Sequence, residues 1–166
     1  MKVAKTIRHK ILNHASIFDE TIRVYNESLS FIIQVIDQEV EHVDAYSTKE
    51  MTNLIERLIH ATKSNPNPKY TEFNQRFYKF PSYFRRAAIA TAFGKVKSYR
   101  SLRKNWETEK QVALENGRKF NKQPPTKQLT HKEFPVLYKG NMFKRTSDTT
   151  ACIKTLVKND WVWVDV

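Results

Sequence analysis

Cysteine is almost absent from this sequence of 166 residues. Cys152 is the only one, which excludes an intrachain disulfide and any metal site built from several thiolates. A single cysteine fits a reducing compartment, and we expect a cytoplasmic protein. Long apolar runs are also missing, since none approaches the roughly 18 residues of a membrane-spanning helix. The charged start, MKVAKTIRHKIL, does not have the pattern of a signal peptide.

Motifs that carry chemistry are missing too. Gly94-Lys95 lacks the upstream glycine of a phosphate-binding Walker loop. The acidic residues do not form the converging set that two-metal phosphodiester cleavage needs, and no nucleophile has a motif-supplied base. We therefore expect no enzyme activity, no cofactor and no small-molecule substrate for this chain. The histidines have no ligand spacing, which favours surface or capping positions for all of them: His9, His14, His42, His60 and His131.

Negative charge is scarce and unevenly placed. The chain has 29 Lys and Arg against 17 Asp and Glu, for a net charge of +12 and a pI near 9.8. Residues 1–60 hold 7 basic and 9 acidic residues, whereas residues 61–166 hold 22 and 8. Segregated positive charge indicates a polyanionic partner, and nucleic acid is the default. On charge alone, ribosomal, membrane-surface and heparin-type partners remain open.

Hydrophobic periodicity predicts the first half of the fold. Residues 2–12 alternate as in a strand, and an amphipathic stripe from Phe18 to Val43 predicts a long helix. A capping box, in which Ser47 is the N-cap and Glu50 the third helical residue, predicts the start of a second helix. We expect the prolines of the segment SNPNPK to end that helix. The aromatic residues after it predict a short helix or an aromatic turn.

A third long helix and three strands follow. The helix is expected to begin at Pro81 or Ser82 and to end near Glu115, with Gly117 as its stop signal. Residues 118–133 are expected to form a basic loop. The period then changes to two, which predicts strands over 134–145, 150–158 and 160–166, with Asn159-Asp160 as the tight turn between the last two.

This order predicts an α+β fold, in which a helical domain is inserted into a small antiparallel β-barrel or sheet. The expected division is a first strand over 1–12, a helical domain over 13–117, a basic linker over 118–133, and the remaining strands over 134–166.

The long helix carries the candidate binding residues. Its apolar positions predict one face for packing, and Arg86, Lys97, Arg100 and Lys104 form a row beside it. Acidic residues near this row are scarce in the sequence, so we expect the row to contact phosphates. Free backbone N–H groups in the first helical turn also attract phosphate. The remaining candidates lie in that turn, in the second helix and near the strands: Thr52, Ser82, Tyr83, Arg85, Lys144 and Arg145.

The segments FPSYFRRAAIATAFGKVKSYRSLRKNW, the basic GRK…QPPT loop, FPVLYKGNMFKR and IKTLVKNDWVWVDV, in this order, resemble the N-terminal part of transposon-encoded TnpB or OrfB proteins. These RNA-guided nucleases are related to type V CRISPR effectors and are often called transposases. The resemblance implies a wedge-like β-barrel with an inserted recognition domain. It also implies guide RNA and double-stranded DNA as partners, and no membrane.

The family also has a RuvC-like nuclease domain with three catalytic acids and a zinc ribbon, which this chain lacks. The resemblance therefore implies a non-catalytic binding region whose parent nuclease would use Mg²⁺. It places Tyr83 and Arg86, with Ser82 and Thr52 behind them, at the DNA motif beside the target. The alternative is an unrelated basic DNA-binding module of the helix-turn-helix type.

Overall fold

The computed structural model describes residue 11, residues 15–128 and residues 130–166. The predicted α+β class is confirmed. The predicted first strand lies outside the described residues apart from Ile11, which is not in a strand, so the barrel and the domain insertion stay predictions. The described elements are a 3-10 turn (Ala15–Phe18), α1 (Asp19–Glu39), a second 3-10 turn (Val43–Ala45), α2 (Thr48–Ile59), α3 (Glu72–Arg76), α4 (Ser82–Glu115), β1 (Phe143–Arg145), β2 (Ala151–Val157) and β3 (Asp160–Asp165).

The helices pack around a continuous apolar core. Helix α1 contributes most of the stripe that the sequence predicts, but it ends at Glu39, so Val40 and Val43 of that stripe are buried outside the helix. Burial of each large side chain contributes about 1.5–3 kcal/mol, which makes this core the main stabilising element. Aromatic rings from the α3 region extend the core toward the start of α4. The fully buried or nearly buried members include Tyr25, Leu29, Ile32 and Ile36 of α1, Met51, Ile55 and Ile59 of α2, Phe73, Phe77 and Phe80, and Phe84, Ala88, Ile89, Ala92 and Val96 of α4.

Helix α2 starts as the sequence predicts. The Ser47 N–H donates to Glu50 Oε2 at 2.8 Å, and the Glu50 N–H donates to Ser47 Oγ at 3.3 Å. The end was predicted too late, because the chain leaves the helix at His60, well before the prolines. Two asparagine side chains satisfy the last carbonyls there: Asn74 Nδ2 donates to Ile59 O and Asn65 Nδ2 to Arg57 O, each at 2.7 Å.

Both predicted ends of α4 are confirmed. Pro81 precedes its first residue, and Gly117 follows its end with a φ of +64°. The Gly117 N–H donates to Leu114 O at 3.0 Å, and the Arg118 N–H donates to Ala113 O at 2.8 Å. This pair of bonds is the Schellman motif, which needs a left-handed residue at the position of Gly117.

The three described strands form an antiparallel sheet in the order β1-β2-β3. The turn between β2 and β3 is centred on Lys158 and Asn159, which both have positive φ. The predicted turn was therefore wrong by one residue. The strand predicted over residues 134–145 was also too long, because residues 134–142 form a loop and a turn before β1.

Helix α1 closes one edge of β2. Beyond the end of β1, the Leu156 N–H has no strand partner and donates instead to the buried Thr21 hydroxyl at 2.8 Å. On β3, the Trp161 ring lies 4.6 Å from the ring of Phe84, which joins the sheet to the start of α4.

The basic segment 118–133 has no helix or strand in its described residues, and both of its ends are held on the helices. The Trp106 indole N–H donates to Lys122 O at 2.8 Å, and the Trp106 and Phe120 rings are 5.6 Å apart. At the other end, Asn26 of α1 exchanges two hydrogen bonds of 2.9 Å with the backbone of Glu133.

Candidate nucleic-acid interface

The predicted row of cations on α4 is largely neutralised. Arg86 Nε lies 3.4 Å from Glu56, Lys97 Nζ lies 3.4 Å from Asp44, and Arg100 Nη2 lies 3.4 Å from Asp37. The expectation that acids near this row would be scarce is therefore wrong. Those carboxylates come from α2, from the turn after α1 and from α1 itself. Of the four cations in the row, only Lys104 has no carboxylate partner among the described residues.

The start of α4 keeps part of its positive charge. Arg85 is 6% exposed and shares the Glu56 carboxylate with Arg86, so one negative charge balances two guanidinium groups. Burial lowers the pKa of Arg85. Arg86 and Ser82 are exposed in this turn, whereas the Thr52 hydroxyl donates to the Thr48 carbonyl within α2.

Arg86 begins a chain of contacts that leads to the sheet. Its guanidinium lies 5.8 Å from the centre of the Tyr83 ring, and that ring lies 5.4 Å from the Tyr138 ring. Tyr138 O accepts the N–H groups of Met142 and Phe143 at the entry to β1. Some side chains lie along this path and others on the sheet beyond it, and together we call them the sheet-side surface. They are Tyr83, Arg86, Tyr138, Lys144, Lys154 and Trp163.

On the sheet, Trp163 lies beside two ammonium groups. The Lys144 Nζ lies 4.3 Å from the centre of the Trp163 ring, and the Lys154 Nζ lies 5.9 Å from it. Lys154 is paired directly with Trp163 across the ladder, and Lys144 lies opposite Cys152. Alternation therefore places all of these side chains on one face. Trp163 is 38% exposed, so part of its ring is open to a ligand.

Arg145 does not join this surface. As the neighbour of Lys144 on β1 it lies on the opposite face, and its Nη2 is 3.2 Å from an Asp148 carboxylate oxygen. The two adjacent predicted residues are therefore separated by the pleat of the strand.

Sequence reasoning did not single out Lys154 and Trp163 as a pair, although the signal was present. A turn centred on Lys158 and Asn159 pairs Lys154 with Trp163. The predicted turn, one residue later, would have placed Trp163 opposite Leu156 instead.

Trp106 on α4 is a second tryptophan that lies beside two cations. The Arg103 guanidinium and the Lys110 Nζ lie 5.1 and 5.2 Å from the centre of the Trp106 ring. Arg103 is also bound to Glu107 at 2.7 Å, which raises the pKa of Arg103. We name Arg103, Trp106 and Lys110 the distal cluster.

The cations that lack a carboxylate partner within the described part of the chain show where positive charge is left over. Four lie between residues 139 and 158, and four lie at the end of α4 and just after it. They are Lys49, Arg57, Lys63, Lys104, Lys110, Arg118, Lys119, Lys132, Lys139, Lys144, Lys154 and Lys158.

The described ranges, 11, 15–128 and 130–166, were also compared with the requirements of a membrane helix and of a metal site, and they meet neither. No helix there is long and apolar enough to cross a membrane. No group of three His, Cys, Asp or Glu side chains is arranged to hold a metal ion in the same ranges.

No curated protein and no solved structure matches this chain. One family model does match, that of the Aq_aa04 family, and it covers residues 5–157. This match includes all four α-helices described above and β1 and β2. The chain therefore belongs to the Aq_aa04 family.

Proposed function

We propose that the protein binds nucleic acid and that the sheet-side surface makes the contact. The single observation that carries the proposal is the position of the partly exposed Trp163 ring beside Lys144 and Lys154. Neither lysine has a carboxylate partner in the described structure, so both remain available to phosphate. An aromatic ring flanked by cations can stack on a base while the cations contact the backbone, as in proteins that bind single strands.

The charge of the whole chain supports the same partner. A net charge of +12 leaves a surplus of cations after every carboxylate has been paired, and the surplus on the strands lies next to Trp163. Arg86 and Tyr83 extend the surface toward the start of α4, where Glu56 balances only one of two arginines. No catalytic step is proposed for this chain.

The finer form of the proposal is that the nucleic acid is a structured guide RNA together with target-adjacent double-stranded DNA, as in the N-terminal region of a TnpB-like protein. Its support is the resemblance of residues 80–106 and 134–166 to that family. In this form, the protein would bind RNA shape and a short DNA motif, while base pairing selects the target.

The general proposal is tested by fluorescence anisotropy with labelled single-stranded RNA, single-stranded DNA and duplexes of about 12 nucleotides, across a salt series. We expect Trp163→Ala to weaken single-strand binding roughly fivefold or more, since a stacked base contributes about 1–3 kcal/mol. We expect Lys144→Ala to reduce the salt slope by about 0.7 on single strands.

The matched control for Lys144→Ala is Lys63→Ala, which removes the same charge from an exposed loop after α2. This control should leave affinity and salt slope unchanged. If Trp163→Ala and Lys144→Ala behave like the control while Lys110→Ala weakens binding, the proposed surface is wrong and the distal cluster makes the contact. A preference for hairpin RNA over both single strands and duplex DNA would support the finer form.

A further inference from the structure

The outer half of α4, residues 97–115, contributes no buried side chain to the core. The last buried residue of the helix is Val96. At 1.5 Å per residue, the outer half is about 28 Å long. Helices in proteins are stabilised mostly by packing of an apolar face, whereas this stretch is supported by local pairs such as Arg103 with Glu107. Core stability therefore does not explain its length.

The chain that follows α4 is fixed beside the end of the helix. At one end, the Arg118 N–H donates to Ala113 O at 2.8 Å. At the other end, the Trp106 indole N–H donates to Lys122 O, also at 2.8 Å. The short stretch between these two bonds contains Lys119. Arg118 and Lys119 are therefore held next to α4 at the level of their backbone, and they add their charges to those of the helix.

Positive charge is left over in this region after its acids have been paired. Residues 103–122 hold six basic and three acidic residues. Glu107 is bound by Arg103, Glu109 by Lys122, and Glu115 by the Gln111 side-chain amide. The other four cations are exposed and have no carboxylate partner among the described residues. They are Lys104, Lys110, Arg118 and Lys119. A concentrated surplus of one sign attracts a polyanion.

The apolar side chains of the outer half do not form a surface for a protein partner. Val112 and Leu114 are 52% and 57% exposed, but at 100° per residue they point about 200° apart around the helix. Trp106 is engaged by the Phe120 ring and by its bond to Lys122, so it anchors the following segment. The cations are the groups that remain available to a ligand, and phosphate is the ligand that they fit.

We infer that the outer half of α4, together with residues 118–119, is a second contact for a single-stranded polynucleotide, made through phosphates and not through bases. The inference rests on the proposed function, because the strand that reaches this contact is the one held at the sheet-side surface. Arg86 and Lys110 are about 36 Å apart along α4. The cations between them on the predicted row, Lys97 and Arg100, are paired with carboxylates. Only a long strand can therefore reach both contacts.

The test compares labelled oligothymidylates of about 5 and about 30 nucleotides by fluorescence anisotropy with the full chain, across a salt series. In the double variant Lys104→Gln with Lys110→Gln, the salt slope of the long strand should fall by about 1.4, since each phosphate contact on a single strand contributes about 0.7. The slope of the short strand should not change. Glutamine has nearly the helix propensity of lysine, so α4 is preserved.

The matched control, Lys49→Gln with Lys63→Gln, removes the same charge from α2 and the loop after it and should leave both slopes unchanged. Trp163→Ala separates the two proposals, because it should weaken both strands. If it weakens neither while the α4 double variant still lowers the long-strand slope, the sheet-side surface is wrong and the contact on α4 stands. The inference is overturned if the α4 double variant behaves like the control, or if it changes the slope only for a duplex.

Discussion

The Arg100 guanidinium on α4 donates to the Val40 carbonyl at the end of α1, with a distance of 2.6 Å from Nη1 to O. The same nitrogen donates to Glu41 O at 2.7 Å, and Nη2 lies 3.4 Å from Asp37. The last carbonyls of a helix carry partial negative charge and have no partner within the helix. Arg100 therefore closes the end of α1 and is not available as a member of a phosphate-binding row.

We expect Arg100→Ala to reduce the free energy of unfolding by about 2 kcal/mol, because it removes charge-assisted hydrogen bonds to partly buried carbonyls. The measurement is urea unfolding. Lys104→Ala, about one turn further along α4, should change stability by less than about 0.5 kcal/mol. Nucleic-acid binding by Arg100→Ala should keep its salt slope. A stable variant whose slope falls by about one would instead identify Arg100 as a phosphate contact.

Thr21→Val should also destabilise the protein, by about 1–3 kcal/mol, because it leaves the buried Leu156 N–H without an acceptor. Thr21→Ser keeps the hydroxyl and is the matched control, for which a smaller loss is expected. Chemical denaturation measures both, and hydrogen exchange at the Leu156 amide reports the bond directly. A Thr21→Val variant as stable as the unchanged protein would contradict this role of the hydroxyl.

The two glycines of the α4 region should respond to alanine in opposite directions. Gly94 lies within the helix, and an added Cβ would meet no atom within 4 Å, so Gly94→Ala should stabilise the protein by about 0.5–1 kcal/mol. Gly117 has a φ of +64°, so Gly117→Ala should cost about 1–2 kcal/mol. Thermal unfolding of both variants checks the signs. Stabilisation by Gly117→Ala would contradict the Schellman end of α4.

Titration of His131 should make stability depend on pH. Its pKa is lowered in the folded chain, mainly by burial, so the unfolded chain takes up this proton first as the pH falls. The contribution of His131 to the free energy of unfolding is therefore complete above 6.5, the ordinary pKa of histidine, and is lost as the pH falls below that value. The free energy of unfolding between about pH 8 and pH 5.5 measures this, and His131→Leu should flatten the curve, while His42→Leu should not. If the pH dependence of stability is the same in His131→Leu as in the unchanged protein, His131 is not its source.

Local signals in the sequence predicted several elements of the fold. The capping box of α2 and both ends of α4 depend on residues within a few positions of each other, such as Ser47 with Glu50, or Gly117 with the last turn. Their physical cause is contained in a short stretch of chain, so a single sequence is enough to identify them.

The candidate site was less predictable, because it depends on residues that are distant in sequence. Arg100 is 63 residues from Asp37, and Arg86 is 30 residues from Glu56, so periodicity along α4 could not reveal that these cations are paired. The pairing of Lys154 with Trp163 on the sheet was missed for a different reason. A turn placed one residue too late changes every cross-strand pair, which separated Lys154 from Trp163. The role of the surface and the resemblance to TnpB-like proteins stay predictions.

The hydrogen bond from the Leu156 N–H to Thr21 also limits how this sheet can grow. Helix α1 occupies the edge of β2 that β1 leaves uncovered, and the loop before β1 occupies the outer side of Phe143 through its bonds with Tyr138 and Gly140. Within the described strands, only β3 has an edge long enough to accept another strand. A further strand supplied by a second polypeptide would therefore have to add beside the residues that flank Trp163.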